Sequence, residues 1–123
     1  MARVVAVIGA SNDRRKFGNK AVRAFVRQGY DVKPVNPKTA LVEGLKAYAS
    51  IAEIPGPIDL VTVYVPPEIG ERLLPDIASK RPAELWINPG AESDGLLAKA
   101  AALGLAPIVA CSIMGVGENP GAL

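Results

Sequence analysis

The sequence predicts a single α/β domain built on a mostly parallel, doubly wound sheet. Three observations carry this reading. Short β-branched runs, Arg3-Val4-Val5-Ala6-Val7-Ile8 and Asp59-Leu60-Val61-Thr62-Val63-Tyr64-Val65, are nearly continuous in their apolar character rather than alternating, as strands covered on both faces are. Stretches with helical spacing separate these runs, so successive strands are joined by right-handed crossovers and lie parallel. The chain of 123 residues, 50% apolar and 21% charged, has the length and composition of one ordinary folded domain.

Taken in order, the first strand spans residues 3–8 and ends at Gly9-Ala10-Ser11-Asn12. A helix follows over about 18–28, with Val22, Phe25 and Val26 on one face and Gly29 as its stop. Residues 30–35 make a second strand closed by Asn36-Pro37, and 45–48 a short third strand at an edge. Ser50 caps one helical turn, ended by Pro55-Gly56-Pro57. The fourth strand is 59–65. Ile69, Leu73 and Ile77 then mark a helix in which Pro75 predicts a kink or a restart. A fifth strand at 84–88 precedes Pro89-Gly90, and Ser93 caps a helix that ends at Gly104. Residues 107–111 form a sixth strand. Trp86 and Phe25 read as core. The domain is expected to span residues 1–123 with strand order 3-2-1-4-5-6, and the Gly/Pro-rich tail 115–123 is expected to be poorly ordered.

Composition excludes several kinds of chemistry. Fourteen Lys and Arg stand against 12 Asp and Glu, a net charge of +2, which is no footprint for bulk nucleic-acid binding. One cysteine, Cys111, rules out an internal disulfide, and the absence of histidine removes His-based triads, His metal ligands and a phosphohistidine. The first residues run directly into an apolar strand and no apolar run approaches transmembrane length. A cytoplasmic protein is therefore expected, with no membrane, nucleic-acid or metal partner.

In an open parallel sheet, ligands bind beyond the carboxyl ends of the strands. The first such end is the loop Gly9 to Gly18. It leads into a helix, whose N-terminus offers free N–H groups and a positive dipole end to phosphate. Ser11 adds a hydroxyl, Arg14 and Lys16 add charge, and the small pair Gly9-Ala10 permits close approach of a ligand. The loop is not a G-x-G-x-x-G fingerprint, because Ser11 stands where the second glycine belongs, and no Walker A sequence occurs. At the second strand end, Asn36-Pro37-Lys38 replaces the acidic residue that commonly holds a nicotinamide cofactor's ribose. Lys38 suits a ribose phosphate; it is otherwise a surface charge after a turn. Val65-Pro66-Pro67 is either a rigid apolar wall or a helix start. Pro89-Gly90 is either a close approach to ligand or a turn. Cys111 is either a packed core thiol or a partner for a thiol ligand.

The succession AVIGASND, FGNKA, YDVKPVNPK, EGLKAYASI, IDLVTVYVPPE and LWINPGAES resembles the small bacterial CoA-binding proteins. These are single Rossmann-like domains similar to the CoA-binding domain of the succinyl-CoA synthetase α-subunit and of NDP-forming acyl-CoA synthetases. The resemblance covers about residues 3–114. It implies a pyrophosphate loop at Gly9–Gly18 with Ser11 and Lys16 near the phosphates. It implies an adenosine contact at Asn36, Pro37 and Lys38, and walls for nucleotide and pantetheine at Val65, Pro66, Pro67, Pro89 and Gly90. The synthetases' phosphorylated histidine lies in a later domain, so their reaction does not carry over to a chain without histidine.

Together these readings point to non-covalent binding of coenzyme A or an acyl-CoA. A small NADP-linked reductase and a protein-interaction or regulatory module with a nucleotide-sensing pocket are the alternatives. No catalytic residue is assigned.

Overall fold

A computed structural model describes residues 2–123; Met1 lies outside the described residues. β1 (Val4–Ile8) leads through a loop into α1 (Phe17–Arg27) and back to β2 (Asp31–Val35). A hairpin of β3 (Leu41–Val42) and β4 (Leu45–Lys46) and a single 3-10 turn (Ile51–Glu53) precede β5 (Leu60–Val63). Then come α2 (Pro67–Lys80), β6 (Glu84–Ile87), α3 (Asp94–Ala102), β7 (Ile108–Val109), α4 (Ser112–Gly115) and a 3-10 turn at Pro120–Ala122. The main sheet is five-stranded and parallel, in the order β2-β1-β5-β6-β7. No helix among the described residues is long and apolar enough to cross a membrane.

The alternation of strand side chains splits the core in two. Val5 and Val7 of β1 face Ala21, Val22 and Phe25 of α1 and Ile113 of α4. Ala6 and Ile8 face the opposite layer, with Leu74 and Ile77 of α2 and Leu96 and Ala100 of α3. Helices therefore cover both faces, as a doubly wound α/β sheet requires.

Several expectations are corrected. The third strand does not join the sheet as an edge strand. Residues 45–46 pair antiparallel with 41–42, across a turn in which Glu43 and Gly44 both take positive φ, 49° and 77°, the geometry of a tight two-residue hairpin. Only Tyr48 reaches the sheet, in a single parallel bridge to Val35. Pro34 supplies the reason. Its carbonyl accepts from the Tyr48 amide at 2.9 Å, so its nitrogen faces the same outer edge, where proline has no hydrogen to donate to a further strand. The helix containing Pro75 runs unbroken from Pro67 to Lys80 and does not restart. Val26 is 49% exposed, so Val22 and Phe25, with Ala21 and Ala24, carry the buried apolar face of α1 without it. The sixth strand shrinks to Ile108–Val109, and Cys111 becomes the N-cap of α4. Trp86 is only half-buried, with Gly115 packed on its ring.

The tail is placed against the domain rather than loose. The Glu118 amide donates to the Ile113 carbonyl at 3.1 Å, and its carboxylate pairs with Arg27 at 3.6 Å and accepts from Gln28. Lys20 Nζ donates to the Pro120 carbonyl at 3.1 Å, and Val116 and Leu123 pack on the α1 side of the core.

Two neighbouring residues of α1 test this packing. Phe25→Ala is expected to lower the unfolding free energy by about 3–5 kcal/mol, and Val26→Ala by less than about 0.5 kcal/mol. Urea denaturation followed by circular dichroism reads both; a large loss at position 26 would show that α1 is rotated from the orientation described.

Candidate functional site

The carboxyl ends of β1, β2, β5 and β6 open into one cavity of about 1200 Å³. Its floor begins with a close contact between strand and helix. Gly9 has φ +91°, and a Cβ there would lie 3.0 Å from the Tyr64 backbone. A Cβ on Gly18 would fall 2.1 Å from the Gly9 carbonyl oxygen. Glycine at both positions lets the start of α1 rest directly on the end of β1.

That contact aims the helix. Lys16 is the N-cap of α1 without a side-chain cap, and the first turn holds no acidic residue. The amides of Phe17 and Gly18, at the first two helical positions, have no intrahelical acceptor. Ser11, Lys16, Phe17 and Gly18 line the cavity at this point, so a positive dipole end, two free N–H groups, a hydroxyl and an ammonium converge there.

The basic run does not act as a unit. Asp13 holds Arg15 in a two-point contact, with Nε and Nη2 each 3.0 Å from a carboxylate oxygen. The hydrogen bonds from Arg15 hold the Asp13 carboxyl down at about 2, so the contact breaks only as pH falls toward that value. Arg14, expected at the phosphate, instead lies outside the cavity, 3.6 Å from Glu43. Its carbonyl accepts from Arg23 at 3.1 Å. Among the described residues, Lys16 and Lys38 have no carboxylate partner, and both line the cavity.

Side-chain amides fasten the rim. Asn36 Nδ2 donates to the Ala10 carbonyl at 2.8 Å, and its Oδ1 accepts from the Lys38 amide at 2.7 Å. The second strand end is thereby tied to the first, with Pro37 and Lys38 held at the cavity edge. Asn19, fully buried, donates to the Ser11 carbonyl at 2.8 Å and to Glu43 at 2.9 Å.

The opposite wall is apolar. Val65 and Pro66 line it with Ile69 and Leu73 of α2, and Pro89, Gly90 and Ala91 close the far side. Pro67 does not line the cavity; it is the first residue of α2, where its missing donor costs nothing. The predicted residues Gly9, Ala10, Ser11, Lys16, Gly18, Asn36, Pro37, Lys38, Val65, Pro66, Pro89 and Gly90 thus surround one space.

Other lining residues were not predicted. The spacing of Ile69 and Leu73 marks a helix and says nothing of a ligand, yet both line the cavity, and Ile69 is 40% exposed. Asn119, Pro120 and Gly121 come from the tail. Cys111 is half-buried at the rim and carries a free thiol. Behind the wall lies a hydroxyl cluster. Asn88 Nδ2 is 2.7 Å from Thr62 Oγ1, which is 2.7 Å from Ser112 Oγ, which is 3.0 Å from the Tyr64 hydroxyl. Burial pushes the Tyr64 phenol up to about 12, so it stays neutral in any ordinary buffer. The lining residues include no Asp, Glu or His. Among the described residues, no cluster of His, Cys, Asp and Glu is placed to hold a metal.

The family pattern described as "CoA binding domain" matches residues 3–116. The α subunit of an ADP-forming acetate–CoA ligase from Pyrococcus furiosus is 42% identical over 79 residues, 63% of this chain and 17% of the subunit. The chain thus matches less than a fifth of that relative's length. A solved hypothetical protein from Pyrococcus horikoshii superimposes with a TM-score of 0.84 at 28% identity, covering 91% of this chain and 79% of that one. A conserved hypothetical protein from Pyrococcus furiosus gives 0.82 at 29% identity, covering 94% of this chain and 99% of that one.

The strand–helix contact makes its own prediction. Gly18→Ala drives a methyl group into the Gly9 carbonyl, and an overpacking loss of about 1–3 kcal/mol is expected in chemical denaturation. An unchanged midpoint would mean that α1 does not rest on β1 as described.

Proposed function

Because the chain belongs to the family of CoA binding domains, we propose that it binds coenzyme A non-covalently along the carboxyl edge of its sheet. The pyrophosphate lies on the N–H groups of Phe17 and Gly18, with Ser11 and Lys16 beside it. The adenosine end lies toward Asn36, Pro37 and Lys38, with the Lys38 ammonium near the ribose phosphate. The pantetheine arm follows Val65 and Pro66 toward Pro89 and Gly90.

One observation carries this reading: a single cavity joins an anion-binding helix start and two unpaired lysines to a long apolar wall. Small-molecule sites commonly enclose roughly 300–1,000 Å³, so the cavity suits a long ligand with a charged end and an apolar arm. The near-neutral net charge of +2 is no obstacle, because a polyanion responds to local cations and aligned dipoles.

Binding, rather than catalysis, is the activity proposed. The cavity offers no carboxylate or imidazole to act as a base at neutral pH. The acetate–CoA ligase relative indicates a setting in which such a domain presents CoA or an acyl-CoA to chemistry carried out elsewhere.

Thermal denaturation with coenzyme A, dephospho-CoA, NADP and NAD at equal concentration tests the reading. A ligand at 100 times its Kd stabilises by ~2.7 kcal/mol, a rise on the order of ten degrees for a domain of this size. The largest rise is expected with coenzyme A, a smaller one with dephospho-CoA and none with NAD. Lys38→Ala is expected to bring coenzyme A down to the dephospho-CoA value, and Ser11→Glu to abolish both rises. A rise with NADP alone would replace this reading with a reductase.

A further inference from the structure

The buried hydroxyl cluster has a direction. We propose that it makes the Tyr64 phenol a hydrogen-bond donor to a carbonyl oxygen in the pantetheine or acyl part of the bound ligand. The proposal rests on the coenzyme A reading above and deepens it.

The direction follows from counting hydrogens, beginning at Asn88. Its Oδ1 accepts from the Ser112 amide at 2.9 Å, and its Nδ2 donates to the Val63 carbonyl at 2.9 Å. Turning the amide over would set donor against donor at one contact and acceptor against acceptor at the other. The second hydrogen on Nδ2 therefore goes to Thr62 Oγ1 at 2.7 Å. Thr62 is fully buried, and the acceptor within reach of its own hydrogen is Ser112 Oγ at 2.7 Å. Ser112 is 1% exposed and accepts from Thr62, so its hydrogen goes to the Tyr64 oxygen at 3.0 Å. With Thr62 donating to Ser112, reversing the last link would leave the buried Ser112 hydrogen unpaired, at a cost of about 1–3 kcal/mol.

The chain therefore runs from Asn88 through Thr62 and Ser112 to Tyr64. The Tyr64 oxygen is an acceptor in it, and the phenolic hydrogen has no acceptor among the described residues. Tyr64 lines the cavity. Each bond in the series polarises the next, so the terminal O–H is a stronger donor than an isolated phenol.

The neighbourhood selects the acceptor. The unpaired cations of the cavity, Lys16 and Lys38, sit at the start of α1 and beyond the end of β2. Phosphate groups find their partners there. Tyr64 follows β5, and its hydroxyl points to Ser112, next to Cys111, with Met114 on the same wall. None of these carries charge, so a neutral carbonyl matches the site better than a phosphate. A site that presents a fixed donor also discriminates against ligands lacking the acceptor.

Calorimetric titration of wild type and Tyr64→Phe with coenzyme A, acetyl-CoA and ADP tests the proposal. ADP keeps a pyrophosphate and lacks the arm. Tyr64→Phe is expected to weaken coenzyme A and acetyl-CoA by about three- to tenfold, the range of one net hydrogen bond, and to leave ADP unchanged. Retained ADP affinity also reports an intact fold. Equal affinities of wild type and variant for coenzyme A overturn this proposal and leave the coenzyme A reading standing, as does an equal loss for ADP. Wild type that takes up no coenzyme A overturns both. If the variant does not fold, the wild-type tyrosine absorption band decides: coenzyme A moves it to longer wavelength and ADP does not, and the lack of a coenzyme A-specific shift overturns the proposal.

Discussion

The site depends on how closely α1 approaches the end of β1. With a Gly18 Cβ placed only 2.1 Å from the Gly9 carbonyl oxygen, no side chain fits between helix and strand. Three consequences follow from this one contact. The free amides of the first helical turn point over the sheet edge instead of away from it. The loop between Gly9 and Lys16 is forced outward, where Asn12 and Asn19 fasten it to the hairpin and to Glu43. Gly9 in turn lies against the backbone of Tyr64, which fixes the residue ending the buried hydroxyl chain. Position, not charge alone, suits the helix start to an anion.

Charge is then distributed economically around that start. The loop reads as a run of three cations, but Asp13 and Glu43 engage two of them. These ion pairs are exposed and add little stability. Their effect is geometric: they hold the loop's shape and leave Lys16 as its one cation at the cavity. Lys38 approaches from the second strand end, where Asn36 joins the two loops. A preorganised rim of this kind lowers the entropy lost when a flexible ligand is captured.

Much of the fold was legible because its signals are local and redundant. Val4 to Ile8 and Asp59 to Val65 read as doubly covered strands, and Gly29 and Ser93 punctuate helices where the chain turns. The site was legible wherever a strand end carries a special residue, as at Gly9, Asn36-Pro37 and Pro89-Gly90. What escaped depends on distant partners. Position 26 has helical spacing, but nothing in the sequence tells that no layer lies over it. Arg14 turns away because Glu43, on a hairpin 29 positions on, draws it off. Asn88, Thr62 and Ser112 look unremarkable one by one. Only the juxtaposition of β5, β6 and the start of α4 makes them one network. The tail lacks periodicity because one ion pair, a few hydrogen bonds and a few apolar contacts, rather than a regular face, hold it to α1.

The edges of the sheet have a consequence for the molecule in a crowded solution. An exposed strand edge is a template on which other chains can polymerise. Beyond β2 the template is defective, because Pro34 turns toward the edge a nitrogen without a hydrogen, and the Tyr48 amide already occupies Pro34's own carbonyl. At the other margin β7 is two residues long, too short to seed a lasting pair. The chain can therefore keep one end of its sheet open to a ligand while both sides resist the stacking that leads to aggregation.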